Sequence, residues 1–210
     1  MSTATPEATS TPQPPLGTLL IISGPAGVGK DTVWRAAGSC LPTFSKATTC
    51  TTRAQRPGEE HGVHYFFVSD EEFDQLIAND QLIEWAHVHN ARYGVPAAQV
   101  LERLIQGDDV VCVIDVQGAR RIKALFPQAL LIFLKPPAGR ETDVLRDRMA
   151  ERGTTDDEEV RRRLDSAQWE LSQTDFYDHE IINDEIFHAA RQLCEIVARE
   201  KSKRADVAEH

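Results

Sequence analysis

The chain has 210 residues, 41% of them hydrophobic and 27% charged, which suits one globular domain with inserted subdomains and excludes a disordered or membrane-embedded class. With 33 acidic against 23 basic side chains the formal charge is -10, so broad attraction to nucleic acid or to an anionic membrane is not expected. Any phosphate bound here must be met by locally placed Lys, Arg and backbone N–H groups.

The start, MSTATPEATSTPQPP (1–15), is rich in Pro, Thr and Ser without a basic region or an apolar core. It reads as a disordered tail, neither a signal peptide nor an anchor, and no apolar run in the chain approaches the roughly 20 residues of a membrane helix. A domain is expected from residue 16 to about 200. It opens with GTLLIIS, a continuous apolar run of the kind a parallel strand covered on both faces requires. GPAGVGKDT follows directly and leads into a helical pattern, KDTVWRAA.

Strand, glycine loop and helix form the context of the phosphate-binding motif G-x-x-x-x-G-K followed by Ser or Thr. Glycines let the backbone curl so that its N–H groups and the helix N-terminus converge on phosphate oxygens, while the lysine reaches the transferred phosphate. Gly24, Pro25, Ala26, Gly27, Val28, Gly29, Lys30, Asp31 and Thr32 are therefore the candidate ATP-phosphate residues. Asp31 departs from the motif, standing where a hydroxyl would reach Mg²⁺. A carboxylate is a legitimate Mg²⁺ ligand, directly or through water, and Thr32 offers a hydroxyl one residue on. Asp31 is also a favourable helix-start residue, and both readings stand at this point.

Residues 48–96 break the strand–helix rhythm with TTCTTRAQRPGEEHGVHYFFVS and LIEWAHVHNARYGV, short strands and turns within what reads as an inserted mixed α/β lobe. His87 and His89 alternate on one strand face there and read as lobe lining or surface rather than metal ligands. The rhythm returns with the helical AAQVLERLIQ, the apolar DDVVCVID (108–115), the helical GARRIKALF and the apolar ALLIFL (129–134). Asp115 ends its strand beside the glycine loop, where a carboxylate can hold metal-bound water or contact a nucleotide. A second interruption, 139–176, is nearly all charged, Arg-rich helix and reads as a mobile lid. The strand HEIIN (179–183), the helix EIFHAARQLCEIVARE and a flexible tail over 201–210 complete the chain. Strands alternating with helices predict an α/β fold with a mostly parallel sheet, whose ligands sit at the strands' carboxyl ends. Cys40, Cys50, Cys112 and Cys194 are scattered without a C-x-x-C pair, which argues against a zinc site or a disulfide scaffold and for a reducing cytoplasm.

TTRAQRPGEEHGVHY (51–65) resembles the guanylate kinase pattern T-T-R-x-x-R-x-G-E-x-x-G-x-x-Y. The resemblance continues through FVS, LIEWA, YG, IDVQGA, PP, ERGT, RL, EL and IIND, covering roughly residues 17–198. It implies a P-loop core, a GMP-binding lobe and an arginine lid, with transfer of the ATP γ-phosphate to GMP assisted by Mg²⁺. It implies that Arg53, Arg56, Tyr65 and Tyr93 bind the phosphate of GMP, which suits guanidinium forks and phenol donors. Glu84 would read the guanine N1–H and amino group together, which adenine cannot offer, Thr49 would donate to guanine O6, and Asp115 joins the GMP set. Asp31, Thr32 and Asp115 would serve the metal. Lys30, Arg148, Arg152 and Arg163 would neutralise charge during transfer.

Three positions depart from the family pattern: Asp31 in the loop, Val95 where Thr or Ser is common, and Val113 where a second acidic residue is frequent; Thr49 stands where the family often has Ser and keeps the hydroxyl. Two alternatives remain from these residues. GKD and YGV also resemble ribose 1,5-bisphosphokinases, for which Glu84 has no use. A non-catalytic, phosphopeptide-binding relative would be expected to carry a degraded loop, and here the glycines and Lys30 are intact.

Overall fold

The computed structural model describes residues 16–88, 90–151 and 157–208. The segment 1–15 expected as a tail therefore lies outside the described residues. β1 (Leu19–Ser23) runs through the glycine loop into α1 (Lys30–Ala37). β2 (Phe44–Lys46), β3 (Cys50–Thr51), β4 (Phe66–Phe67), α2 (Asp70–Ala78), β5 (Leu82–Val88) and β6 (Ala91–Pro96) follow. After these come α3 (Ala97–Ile105), β7 (Asp109–Val113), α4 (Val116–Leu125) and β8 (Leu130–Lys135). The chain closes with α5 (Glu141–Glu151), α6 (Asp157–Leu171), β9 (His179–Ile182) and α7 (Ile186–Ala208).

The main sheet has the order β2-β7-β1-β8-β9 with every pairing parallel. Its strands are apolar along their length because both faces are covered. On one face Leu20, Ile22 and Val111 meet Val33 and Ala37 of α1 and Leu193 and Val197 of α7. On the other, Ile21, Val110 and Cys112 meet Val100 of α3 and Ile122 of α4. The parallel register Ile22↔Val113 brings the glycine loop after β1 level with Asp115 after β7. Both phosphate-handling segments thus emerge at one edge of the sheet, as the rule for open α/β sheets requires. The edge strand β2, only three residues long, is an element that apolar patterning alone does not reveal.

A second sheet, β4-β3-β6-β5, is mixed and lies within the interrupting segment. Helix α2 closes it, started by a capping box in which the Ser69 hydroxyl accepts from Glu72 N–H and the Glu72 carboxylate accepts from Ser69 N–H. Its Phe73 is fully buried, edge-on to Trp85 and under the Arg92 guanidinium, which also pairs with Asp70 and Asp74. Burying that ring contributes about 2–3 kcal/mol, so Phe73 anchors the helix on its sheet.

Two expectations are corrected. Residues 201–208 are helical rather than a flexible tail, because Lys201 pairs with Asp109 and Arg204 donates to the Gln128 carbonyl. Cys40 and Cys194 are disulfide-bonded, 154 residues apart in sequence. Helices α1 and α7 pack side by side and bring the two sulfurs together, which no local spacing could signal; Cys50 and Cys112 remain buried thiols.

Candidate active site

Gly24, Gly27 and Gly29 all take positive φ, the curl a phosphate loop needs. At Gly24 a Cβ would stand 2.3 Å from the Leu134 carbonyl oxygen, so the loop can leave β1 only without a side chain there. Lys30 begins α1 and folds back over the loop, donating to the Gly24 carbonyl at 2.5 Å and the Pro25 carbonyl at 3.2 Å. Val28 is fully buried, and its carbonyl accepts from Asn183 Nδ2 and Arg148 Nη1, both at 2.7 Å. Arg148 thus ties α5 to the loop, and the buried Asn183 after β9 braces the same atom.

The loop opens onto a cleft of about 910 Å³ that reaches from Lys30 to Glu84. Its lining gathers six cations, Lys30, Arg35, Lys46, Arg53, Arg56 and Arg163, against the carboxylates of Asp31, Glu59, Glu84 and Asp115. A chain with net charge -10 therefore builds a local cationic surface, the electrostatics that phosphate binding demands. Ala26, Gly27, Asp31, Thr32, Thr49, Tyr65 and Tyr93 line the same space.

At one wall Arg53 is held on all sides. Both its Nη atoms donate to Glu59 at 2.8 Å, Nη1 also to the Ala54 carbonyl, and Nε to the Tyr93 hydroxyl at 3.2 Å. The Glu59 bonds raise its pKa, and its plane lies 5.1 Å from the Tyr65 ring centroid. Of the guanidinium's five N–H groups, four are engaged and one, on Nη2, has no partner among the described residues. Glu59 thus holds both arms of the fork. The exposed Arg56 shares this wall, its backbone N–H donating to Glu59 at 2.9 Å. Burial pushes the Tyr65 hydroxyl up to about 12, with Asp31 adding to the shift, so it is a firm donor at neutral pH.

Glu84 on β5 lines the same cleft, is 5% exposed, and its Oε2 has no hydrogen-bond partner among the described residues. Burial, and secondarily the Asp115 charge, push its carboxyl up to about 8, with Arg121 partly opposing. Room for it comes from Gly118 on α4, where a Cβ would stand 2.6 Å from Oε2. Asp115 caps that helix, its Oδ1 accepting from Gly118 N–H at 2.8 Å. Burial raises the Asp115 carboxyl, while the Gly118 N–H and the Lys30 ammonium pull it back. A buried carboxylate edge without donors is costly, and a flat ligand presenting two adjacent N–H groups would satisfy it.

The family model described as guanylate kinase matches residues 16–200. The chain belongs to the guanylate kinase family. It is 46% identical over 192 residues to the guanylate kinase of Streptomyces coelicolor, covering 90% of this chain and 95% of that protein. It is 44% identical to that of Gloeobacter violaceus, covering 85% and 86% of the two chains. The crystal structure of guanylate kinase from Anaplasma phagocytophilum superposes with a TM-score of 0.70 at 30% identity, covering 89% of this chain and 87% of that one.

Among the positions carried over from guanylate kinases, Lys30, Asp31, Thr32, Thr49, Arg53, Arg56, Tyr65, Glu84, Tyr93, Asp115 and Arg163 meet in the one cleft. Arg148 holds the loop's backbone instead, and Arg152 lies outside the described residues. Val95 is fully buried in the core beside Ile21 and Val100, so a family hydroxyl is replaced there by a packing residue, while Val113 lines the cleft. His87 is exposed with its ring edge-on to Trp85, and His89 lies outside the described residues. Sequence reasoning passed over Lys46, Glu59, Gly118, Asn183 and Glu170. Glu170 on α6 is 8% exposed, accepts from the Ser166 hydroxyl, and is pushed up to about 7 by burial against the pull of Lys30. Gly118 and Glu59 stand inside IDVQGA and RPGEE, so those motifs held the missing signal.

Proposed function

We propose that this chain transfers the γ-phosphate of ATP to GMP, giving ADP and GDP. The observation that carries the reading is Glu84, a buried carboxylate whose Oε2 has no hydrogen-bond partner among the described residues, in a cleft that residues of the phosphate loop also line. Guanine supplies N1–H and its amino group side by side, the pair such an edge needs, and adenine does not. Thr49 lines the same cleft, and its hydroxyl would meet guanine O6.

The phosphate of GMP is gripped by the remaining Arg53 N–H, Arg56 and the hydroxyls of Tyr65 and Tyr93. Tyr93 accepts from Arg53 Nε, which turns its own proton outward to donate. Gly24 to Thr32 cradle the ATP phosphates through backbone N–H groups, and Lys30 leaves its loop carbonyls to follow the transferred group. An oxygen of the GMP phosphate attacks the γ-phosphorus in line as ADP departs. Phosphoryl transfer demands positioning and charge neutralisation more than covalent help, so no general base is assigned. Arg163 and Arg152 complete the cationic shell, Arg148 secures the loop through the Val28 carbonyl, and closure over both nucleotides excludes water that would otherwise waste ATP.

The donor set also fits Mg²⁺. Among the described residues no cluster of three or more protein ligands exists, and Mg²⁺ is ordinarily held by one or two carboxylates, waters and substrate phosphates. Asp31, Thr32 and Asp115 are the residues that would hold it, and the ion would neutralise charge on the transferring phosphates. The cytoplasm, where ATP and GMP are available, is the proposed location; no described helix is long and apolar enough to cross a membrane.

Glu84→Gln tests the reading, since it replaces one of two acceptors by a donor aimed at guanine donors. kcat/KM for GMP should fall about 10²-fold or more, from lost charge-assisted bonds, while ATP affinity holds. Unchanged GMP kinetics would remove Glu84 as the base reader.

A further inference from the structure

Asp31 poses a physical problem that the glycine loop does not solve. It follows Lys30 in the first turn of α1, and an uncompensated carboxylate there would repel the phosphates that the loop's N–H groups collect. The compensation comes from another element. Lys46, the last residue of β2, donates from Nζ to Asp31 Oδ1 at 2.6 Å. Pairing of β2 with β7 in the register Lys46↔Val111 carries the ammonium toward the end of the sheet where Asp115 and the loop emerge. Lys46 and Asp31 are 34% and 50% exposed, and both line the cleft beside Lys30, Arg53 and Tyr65. The pair therefore belongs to the cleft wall and not to the core. Only Oδ1 is engaged by Lys46; Oδ2 makes no hydrogen bond among the described residues.

We infer that Lys46 is a positioning residue for the nucleotide phosphates, neutralising and orienting Asp31 so that the ion pair stands in for the loop's usual hydroxyl without adding net charge. The inference rests on reading this cleft as the site of ATP with Mg²⁺. Each partner alone is a liability in that place: without Lys46, Asp31 repels the triphosphate wherever the metal does not neutralise it and has nothing to fix its orientation, and Lys46 by itself adds a cation where Lys30 and the metal already act. The two substitutions must therefore compensate each other. An ordinary surface ion pair makes no such demand, because its loss is screened and small.

The test is a double-mutant cycle read by calorimetry, with the dissociation constant of ATP measured in the presence and absence of Mg²⁺ for wild type, Lys46→Met, Asp31→Ser and the double variant. Melting temperatures and separate kcat and KM values for ATP and GMP accompany each protein. Lys46→Met should weaken Mg²⁺–ATP binding on the order of tenfold, and adding Asp31→Ser should restore most of it. Lys46→Arg should retain binding within a few-fold, and raised ionic strength should shrink the Lys46→Met effect. Wild-type affinity in Lys46→Met, or a double variant showing the product of both single losses, would overturn the inference. So would a fall in melting temperature with both substrates' constants moving together, the mark of a merely structural contact. ATP binding is read without an acceptor, so failure to phosphorylate GMP would sink the acceptor assignment alone. Absence of ATP binding in the wild type would take both down.

Discussion

Glu84→Gln should stabilise the nucleotide-free protein in alkaline solution while damaging its chemistry. Glu84 is 5% exposed and its carboxyl is pushed up to about 8, by burial first and by Asp115 second. The folded protein therefore keeps this proton up to about pH 8, whereas the unfolded chain releases it near the ordinary value of about 4.3. Between those limits the folded state binds more protons than the unfolded one, so stability falls as pH rises, by up to about 1.4 kcal/mol per pH unit. The sum above pH 8 is at most roughly 4–5 kcal/mol, and glutamine, of nearly equal shape and always neutral, loses none of it. Glu170, pushed up to about 7, contributes the same slope to both proteins and cancels. Thermal unfolding without nucleotide should give similar melting temperatures near pH 5. At pH 9 the variant should melt higher, by roughly 6–12 °C if about 3 kcal/mol survives relaxation. Saturating GMP should narrow or reverse the gap, because guanine donors favour the ionised carboxylate of the wild type. Melting curves that stay parallel from pH 5 to 9 would refute the claim that this carboxylate is desolvated without donors.

Lys30→Ala should reduce turnover at least 10³-fold, as expected for a lost cation on the transferred phosphate, with the circular dichroism spectrum intact; near-normal turnover would contradict its role. Gly118→Ala puts a Cβ against Glu84 Oε2 and should raise KM for GMP ten- to a hundredfold without weakening ATP binding, which fluorescent-nucleotide displacement can check. Helix propensity favours alanine there, so a lower melting temperature would report the same clash, and an unchanged KM for GMP would contradict the argument that Gly118 makes room for Glu84. Cys40→Ser should lower the unfolding free energy of the oxidised protein by about 2–5 kcal/mol, measured in urea, and should not change that of the reduced protein appreciably. Equal stability of oxidised wild type and variant would show that the bond between α1 and α7 does not staple the fold.

The P-loop core was legible because its signals are local: a doubly covered strand is apolar at every position, and Gly24 through Lys30 must curl immediately after it. The same holds for Asp115, whose strand ends where the apolar run ends. Elements that depend on distant partners were not. β2 is three residues long and exists because β7 offers it an edge. The Cys40–Cys194 bond follows from the packing of α1 on α7, and the helical end of α7 follows from Lys201 reaching Asp109 and Arg204 reaching Gln128. In the cleft, residue types gave the roles, but pairings decided the geometry. Arg53 reads as a phosphate fork until Glu59 is seen to hold both its arms. Arg148 reads as a lid cation, and its guanidinium grips the Val28 carbonyl. Asp31 reads as an anomaly because its counterion, Lys46, sits 15 residues away on strand β2. A helix is expected in the lobe without a position, and α2 carries a local signal for it, since Ser69 and Glu72 spell its capping box.

The most direct test of the account is ADP production from ATP and Mg²⁺ with GMP, AMP and ribose 1,5-bisphosphate offered as separate acceptors. The account predicts turnover with GMP and at least 10³-fold lower kcat/KM with AMP, since the buried Glu84 edge would be left unpaired, and no turnover with the sugar bisphosphate. Comparable rates with AMP, or turnover on the sugar bisphosphate alone, would contradict it.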